Sequence, residues 1–166
     1  MSKVIFDHNV RVTALLFLAA ILLVTGLGCL RESTPFSLRV DSLNHERTLL
    51  DVPVNPGDRF YIDYIHSSAK TPVQSTFQVG SEGQMVLVEE SFLWHGAGLE
   101  STEHPGVRII SKEGETRVLL DRHFPFLRLR VGCVANHRLT FNGRTIPLKE
   151  IAEGYDLLKI WIRKDR

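Results

Sequence analysis

Cysteine is scarce in this 166-residue chain, which holds only Cys29 and Cys133. Two thiols exclude a disulfide-dense scaffold and a four-cysteine zinc site. Charge of one sign is also lacking. Lys plus Arg is 20 and Asp plus Glu is 19, a net charge of +1, so nothing generic draws the chain to nucleic acid. There is no repeat of fixed period, no glycine-rich phosphate loop between a strand and a helix, and no alternation of strands with long helices. Solenoid, P-loop and Rossmann-type functions are thereby disfavoured. What is present is globular in proportion, 43% hydrophobic and 23% charged, at the length of one ordinary domain.

One long apolar run stands out. Val12 to Leu30 reads VTALLFLAAILLVTGLGCL, nineteen residues without a charge. A membrane span takes about 20 residues, and a buried core helix is rarely apolar on every face for so long. The run predicts a retained N-terminal transmembrane anchor over residues 1–30. A cleaved signal helix is the second reading, with Lys3 and Arg11 before the run and Gly26 and Gly28 at its end. A lipoprotein attached through Cys29 comes third, because Gly26 stands where the usual lipobox has leucine. Lys3 and Arg11 against Asp7 leave the first flank slightly positive, whereas Arg31 and Glu32 cancel on the second. The positive-inside rule then places the N-terminus in the cytoplasm and the rest on the outer, periplasmic face of the cytoplasmic membrane. Residues 31–35 read as a linker and 36–166 as one extracytoplasmic domain.

That domain carries strand signals throughout. Phe36, Leu38 and Val40 alternate with polar neighbours; so do Phe60, Ile62 and Tyr64, then Ser75, Phe77 and Val79, then Leu127, Leu129 and Val131, then Leu158, Ile160 and Ile162. Period-two alternation marks antiparallel sheet with one buried face. Turn residues separate the runs at Asn55–Asp58, Ser81–Gly83, Lys112–Glu115 and Asn142-Gly143, the last suited to the positive φ of a tight hairpin. Only Leu148 to Glu153 looks helical, with Gly154 as its stop. The fold predicted is all-β, an antiparallel β-sandwich or small barrel of about nine or ten strands. Residues 31–105 hold 5 basic and 11 acidic side chains, and residues 106–166 hold 13 and 7. In one compact domain those halves are expected to lie together and cancel.

Three groups of residues are candidates for chemistry. His66 follows Phe60, Ile62 and Tyr64 on the core-facing parity, at a strand end where pockets form, with Ser67 beside it. The ring either touches a ligand or fixes the next loop by hydrogen bonds. Adjacent residues of a strand point to opposite faces, so His66 and Ser67 are not a catalytic pair. The second group is His95, Gly96, Gly98 and Glu100, where Gly-Ala-Gly permits a sharp bend or a free N–H array. The third is the scattered set His66, His95, His104, His123 and His137 with Glu89, Glu90, Glu100 and Glu103. No pair in it has tight metal-ligand spacing, so no metal, cofactor or catalytic set is assigned. Arg128 and Arg130 share one face of a strand and suit an anion or an acidic partner, or simply solvent.

The order of motifs carries a resemblance. Tyr-Ile-His-Ser at 64–67 is followed by Thr-Pro-Val at 71–73 and Gly-Ala-Gly-Leu-Glu at 96–100. Then come Leu-Arg-Val-Gly at 129–132, His-Arg-Leu at 137–139 and Ile-Pro-Leu at 146–148. Over roughly residues 36–164 the chain resembles a bacterial family of domains of unknown function, number eighteen-fifty in the usual naming. The family pattern favours a glutamate soon after His-Ser and another after Pro-Val, where this chain has Ala69 and Gln74. The resemblance implies a small companion of TAXI-type TRAP transporters, with no activity of its own to carry over. The expected function is therefore a membrane-anchored, non-enzymatic accessory of such a transporter, contacting the permease or its solute-binding protein. His66, Ser67, His95, Gly96, Gly98 and Glu100 are its expected contact residues. A stand-alone small-ligand or metal-binding β domain is the alternative.

Overall fold

The computed structural model describes residues 36–93, Leu99 and 103–164, and the expected anchor and linker lie outside them. Among the described residues no helix is long and apolar enough to cross a membrane. The described residues form eleven strands, β1 (Phe36–Ser42), β2 (Arg47–Val54), β3 (Arg59–Ile65), β4 (Pro72–Val79), β5 (Met85–Phe92), β6 (Arg108–Lys112), β7 (Glu115–Phe124), β8 (Leu127–Arg130), β9 (Arg138–Phe141), β10 (Arg144–Pro147) and β11 (Leu157–Lys164). They make two antiparallel sheets, one in the order β2-β1-β11-β8 and one in the order β10-β9-β3-β4-β5-β7-β6. Two sheets rather than one closed cylinder make this a β-sandwich, and the barrel alternative falls away. The strand count exceeds the sequence expectation because the chain is cut into short pieces such as β8 and β10, of four residues each.

The alternating residues face where the pattern puts them. Leu38, Val40, Phe60, Leu139, Leu158 and Ile160 are fully buried between the sheets. Phe60 stacks on Phe77 at 5.2 Å, and Phe77 meets the edge of Phe124 at 6.2 Å, so an aromatic row runs across the larger sheet. Hairpin turns follow from glycine and asparagine. Asn142 and Gly143 have φ of 48° and 73°, the tight-turn geometry that returns β9 into β10. Gly83, at φ 81° between β4 and β5, lies so close to the ring of Phe36 that a Cβ there would be 2.5 Å from it. Pro53 sits in β2, an edge strand, where a missing N–H costs no ladder bond.

The single helix among the described residues, α1 (Leu148–Ile151), ends at Ala152 rather than at Gly154. Ala152 turns to extended backbone while its N–H still donates to the Leu148 carbonyl at 3.0 Å, so the reversal comes before the glycine. The opposite charges of the two chain halves meet, as in Arg117 with Glu89 and Arg163 with Asp51. On the outer face of the smaller sheet, Trp161 donates its indole N–H to Asp41 at 2.6 Å, and the Lys159 ammonium sits 4.2 Å from its ring centre.

An irregularity in β5 reverses the direction of two glutamates. β5 pairs Phe77 with Leu87 but Thr76 with Glu89, so Val88 is an extra residue on that strand. Met85 and Leu87 face the core before this bulge, and Glu90 and Phe92 face it afterwards. A bulge shifts the two-residue parity by one. It sends Glu89 outward to Arg117 and turns Glu90 inward opposite Ser75.

Candidate functional site

His66 follows β3 at the end of the larger sheet away from the β4–β5 turn, where Gly83 meets Phe36. The ring is 8% exposed. Its Nδ1 accepts the Ala69 N–H at 3.3 Å and lies 3.1 Å from the Ser68 hydroxyl. A backbone N–H can only donate, so Nδ1 carries no proton and a neutral ring is protonated on Nε2. The main chain closes the same loop, His66 N–H to the Thr71 carbonyl and Lys70 N–H to the His66 carbonyl, each at 2.9 Å. The hydroxyl that meets His66 is thus Ser68, not Ser67, whose exposed side chain stands apart. Ala69 and Gln74, where the resemblance led to an expectation of glutamates, have their own tasks. Ala69 supplies that N–H, and Gln74 donates to Asp63 at 2.8 Å on the outer face.

His66 and Ser67 line a cavity of about 270 Å³ together with Tyr64, Leu99 and His137. Leu99 also packs on the core. Tyr64 and His137 continue into a larger cleft of about 440 Å³ between the sheets. Its floor is apolar, built from Ile62, Phe77, Leu87 and Phe124 of the larger sheet and Leu127 and Leu129 of the smaller. Polar groups project into it: the Ser75 hydroxyl donates to Glu90 Oε1 at 3.2 Å, with both residues lining the cleft. Arg122, Arg128 and Arg130 complete the lining.

Burial sets the electrostatics here. The Tyr64 phenol is raised above its ordinary 10.0, first by burial and then by the negative charge of Glu90. The His137 imidazole is lowered below 6.5 by burial. Its ring lies 5.8 Å from that of Tyr64, and its buried Nδ1 has no hydrogen-bond partner. Both shifts favour the neutral side chain, so the joint between the two cavities is an uncharged, amphipathic surface. Among the described residues no three histidines, cysteines or carboxylates gather as metal ligands.

A family model described as a domain of unknown function (DUF1850) matches residues 60–148. The chain belongs to this family. No curated protein and no solved structure matches it. The matched span holds every residue that lines the cleft, from Ile62 to His137, whereas β1, β2 and β11 lie outside it. The family's shared segment is therefore the larger sheet plus β8.

Of the contact residues expected from sequence, His66 and Ser67 are brought to the cavity mouth. His95, Gly96, Gly98 and Glu100 lie outside the described residues. Sequence reasoning did not single out Ser75; it held Tyr64 only as the start of the Tyr-Ile-His-Ser motif, His137 in the His-Arg-Leu motif and the diffuse histidine set, and Glu90 in that set alone. Tyr64 had one available signal, closing the core-facing run Phe60, Ile62, Tyr64, whereas His137 stands just before β9 beside polar neighbours. Glu90 had none, because its direction depends on the bulge.

Proposed function

We propose that this family member is a non-catalytic binding module, held at the membrane as an accessory of a TAXI-type TRAP solute transporter, with the inter-sheet cleft as its contact site. The observation that carries the binding reading is the cleft itself. Its volume falls in the range of ligand sites, and an apolar floor with a few placed polar groups is the usual make-up of such sites. Ser75 and His66 each have a structural partner. Ser75 donates to Glu90, and His66 holds the β3–β4 loop. The accessory role rests on the family and on the apolar segment 12–30. A tether raises the local concentration of a partner in the same membrane without strong contacts.

The test is extraction of native membranes in mild detergent, capture of the full chain and identification of what accompanies it. A TRAP permease or its solute-binding protein in the eluate is the expected result. Recovery of the chain without either would overturn the accessory role. It would favour the stand-alone small-ligand domain, which draws on the same cleft.

A further inference from the structure

We infer that the cleft receives an extended acidic segment of a partner protein, which adds to β8 as a fifth strand of the smaller sheet; this rests on the binding role proposed for the cleft. Among the described residues β8 is the last strand of its sheet and is hydrogen-bonded to β11 alone. All four of its residues line the cleft. Alternate side chains of a strand point to opposite faces, so a cavity lying wholly between the sheets would meet Leu127 and Leu129 but not Arg128 and Arg130. That both pairs line it means the cleft opens along the free edge of β8.

The backbone of that edge is turned toward an occupant. Val131, just beyond β8, gives its N–H to the Asp156 carbonyl and takes the Tyr155 N–H, both at 2.9 Å. Those groups point toward the β11 side. Backbone groups on a strand alternate sides with the same two-residue period, so Leu129 and Leu127 point there as well, in register with Leu158 and Ile160. The N–H and carbonyl groups of Arg128 and Arg130 then face the free edge. An exposed edge of this kind is a template for an incoming strand.

Charge decides which strand. The edge strand carries Arg128 and Arg130 on its outer face, with Lys159 of β11 opposite Arg128. Arg128 lies over the Phe126 ring at 5.3 Å, and Arg130 donates one nitrogen to the Tyr155 carbonyl at 2.8 Å. Arg128 and Lys159 share the Phe126 ring, so these cations lie on the outer face of the edge strand, the face that outward side chains of an added strand would share. Carboxylates there would form charge-assisted hydrogen bonds, and apolar side chains of the opposite parity would meet the floor.

The test uses the full chain in detergent and a short labelled peptide of alternating glutamate and valine, followed by fluorescence anisotropy. Saturable binding is expected, with little binding of the lysine–valine counterpart. Methylating alternate peptide nitrogens should weaken binding by about tenfold or more, because it removes donors that the edge needs. Arg128→Pro removes only an N–H that faces the free edge, which a terminal strand tolerates. It should bind about tenfold more weakly than Arg128→Ala at a similar melting temperature. Equal binding of the methylated peptide, equal binding of the two Arg128 variants, or no saturable binding would each overturn the inference. So would complete displacement by millimolar succinate, which would make the cleft a small-carboxylate site. Should Arg128→Pro fail to fold, the methylated peptide against the unaltered chain still decides. Capture of the permease that persists in Arg128→Pro would sink this inference and leave the accessory role standing. Peptide binding without permease capture would do the reverse.

Discussion

Replacing Gly83 with alanine should destabilise the domain more than the same change at Gly114, and the difference measures one contact. Both glycines have positive φ, 81° and 85°, so both alanines incur the left-handed backbone cost of about 1–2 kcal/mol. At Gly114 the new Cβ meets nothing within 4 Å. At Gly83 it would stand 2.5 Å from the Phe36 ring, which is fully packed against the core. Forcing a methyl into a filled core adds about 1–3 kcal/mol. For a domain of this size each kcal/mol moves the melting temperature by roughly 3–5 °C, so Gly83→Ala should melt below Gly114→Ala by roughly 3–15 °C. The assay is denaturant and thermal unfolding of the full chain in detergent, followed by circular dichroism. The Phe36→Leu background supplies a double-mutant cycle, in which the excess cost at position 83 should shrink to below about 1 kcal/mol. Equal losses at the two glycines, or an excess that survives Phe36→Leu, would refute the packing of the first strand onto the β4–β5 turn.

Other outcomes are expected at the site. Glu90→Gln should lower the Tyr64 ionisation midpoint but leave it above 10.0, since burial is the larger cause and remains; absorbance titration with Tyr61 and Tyr155 replaced by Phe reads it. The His137 imidazole is depressed in the folded chain, so between its folded midpoint and about 6.5 the unfolded chain binds the extra proton and stability rises with pH. Acidification below about 6.5 should therefore destabilise the native chain more than His137→Gln, as read from melting temperature against pH. His66→Ala should cost about 1–2 kcal/mol by leaving the Ala69 N–H without its acceptor, whereas His66→Asn, with an oxygen near the Nδ1 position, should recover most of it. Partner capture lost in both variants assigns the ring to contact; capture lost only with alanine assigns it to the loop.

The β architecture was legible in the sequence because burial on one face writes a period of two. Phe36, Leu38 and Val40 are buried, as are Phe60, Ile62 and Val79, and the turns at Glu113-Gly114 and Asn142-Gly143 have the positive φ those residues tolerate. The end of α1 was not legible, since Gly154 is the stronger signal and the chain turns at Ala152 instead. Which hydroxyl meets His66 was not legible either. The loop bonds from Lys70 and Thr71 fold Ser68 back onto the ring, and no local pattern marks that return.

By itself the sequence determined an apolar segment long enough for a membrane, one antiparallel β domain and the family's motif order, all properties of neighbours along the chain. Tertiary structure alone decided the cleft. Ser75 and Glu90 are fifteen residues apart and meet only because β4 and β5 pair. Glu90 faces inward only because Val88 is one residue too many for its partner strand. Arg128 and Arg130 read as an ordinary outward face until the sheet order leaves β8 at an edge. Pairing partners and strand ends are set by contacts distant in sequence, so neither periodicity nor composition carries them.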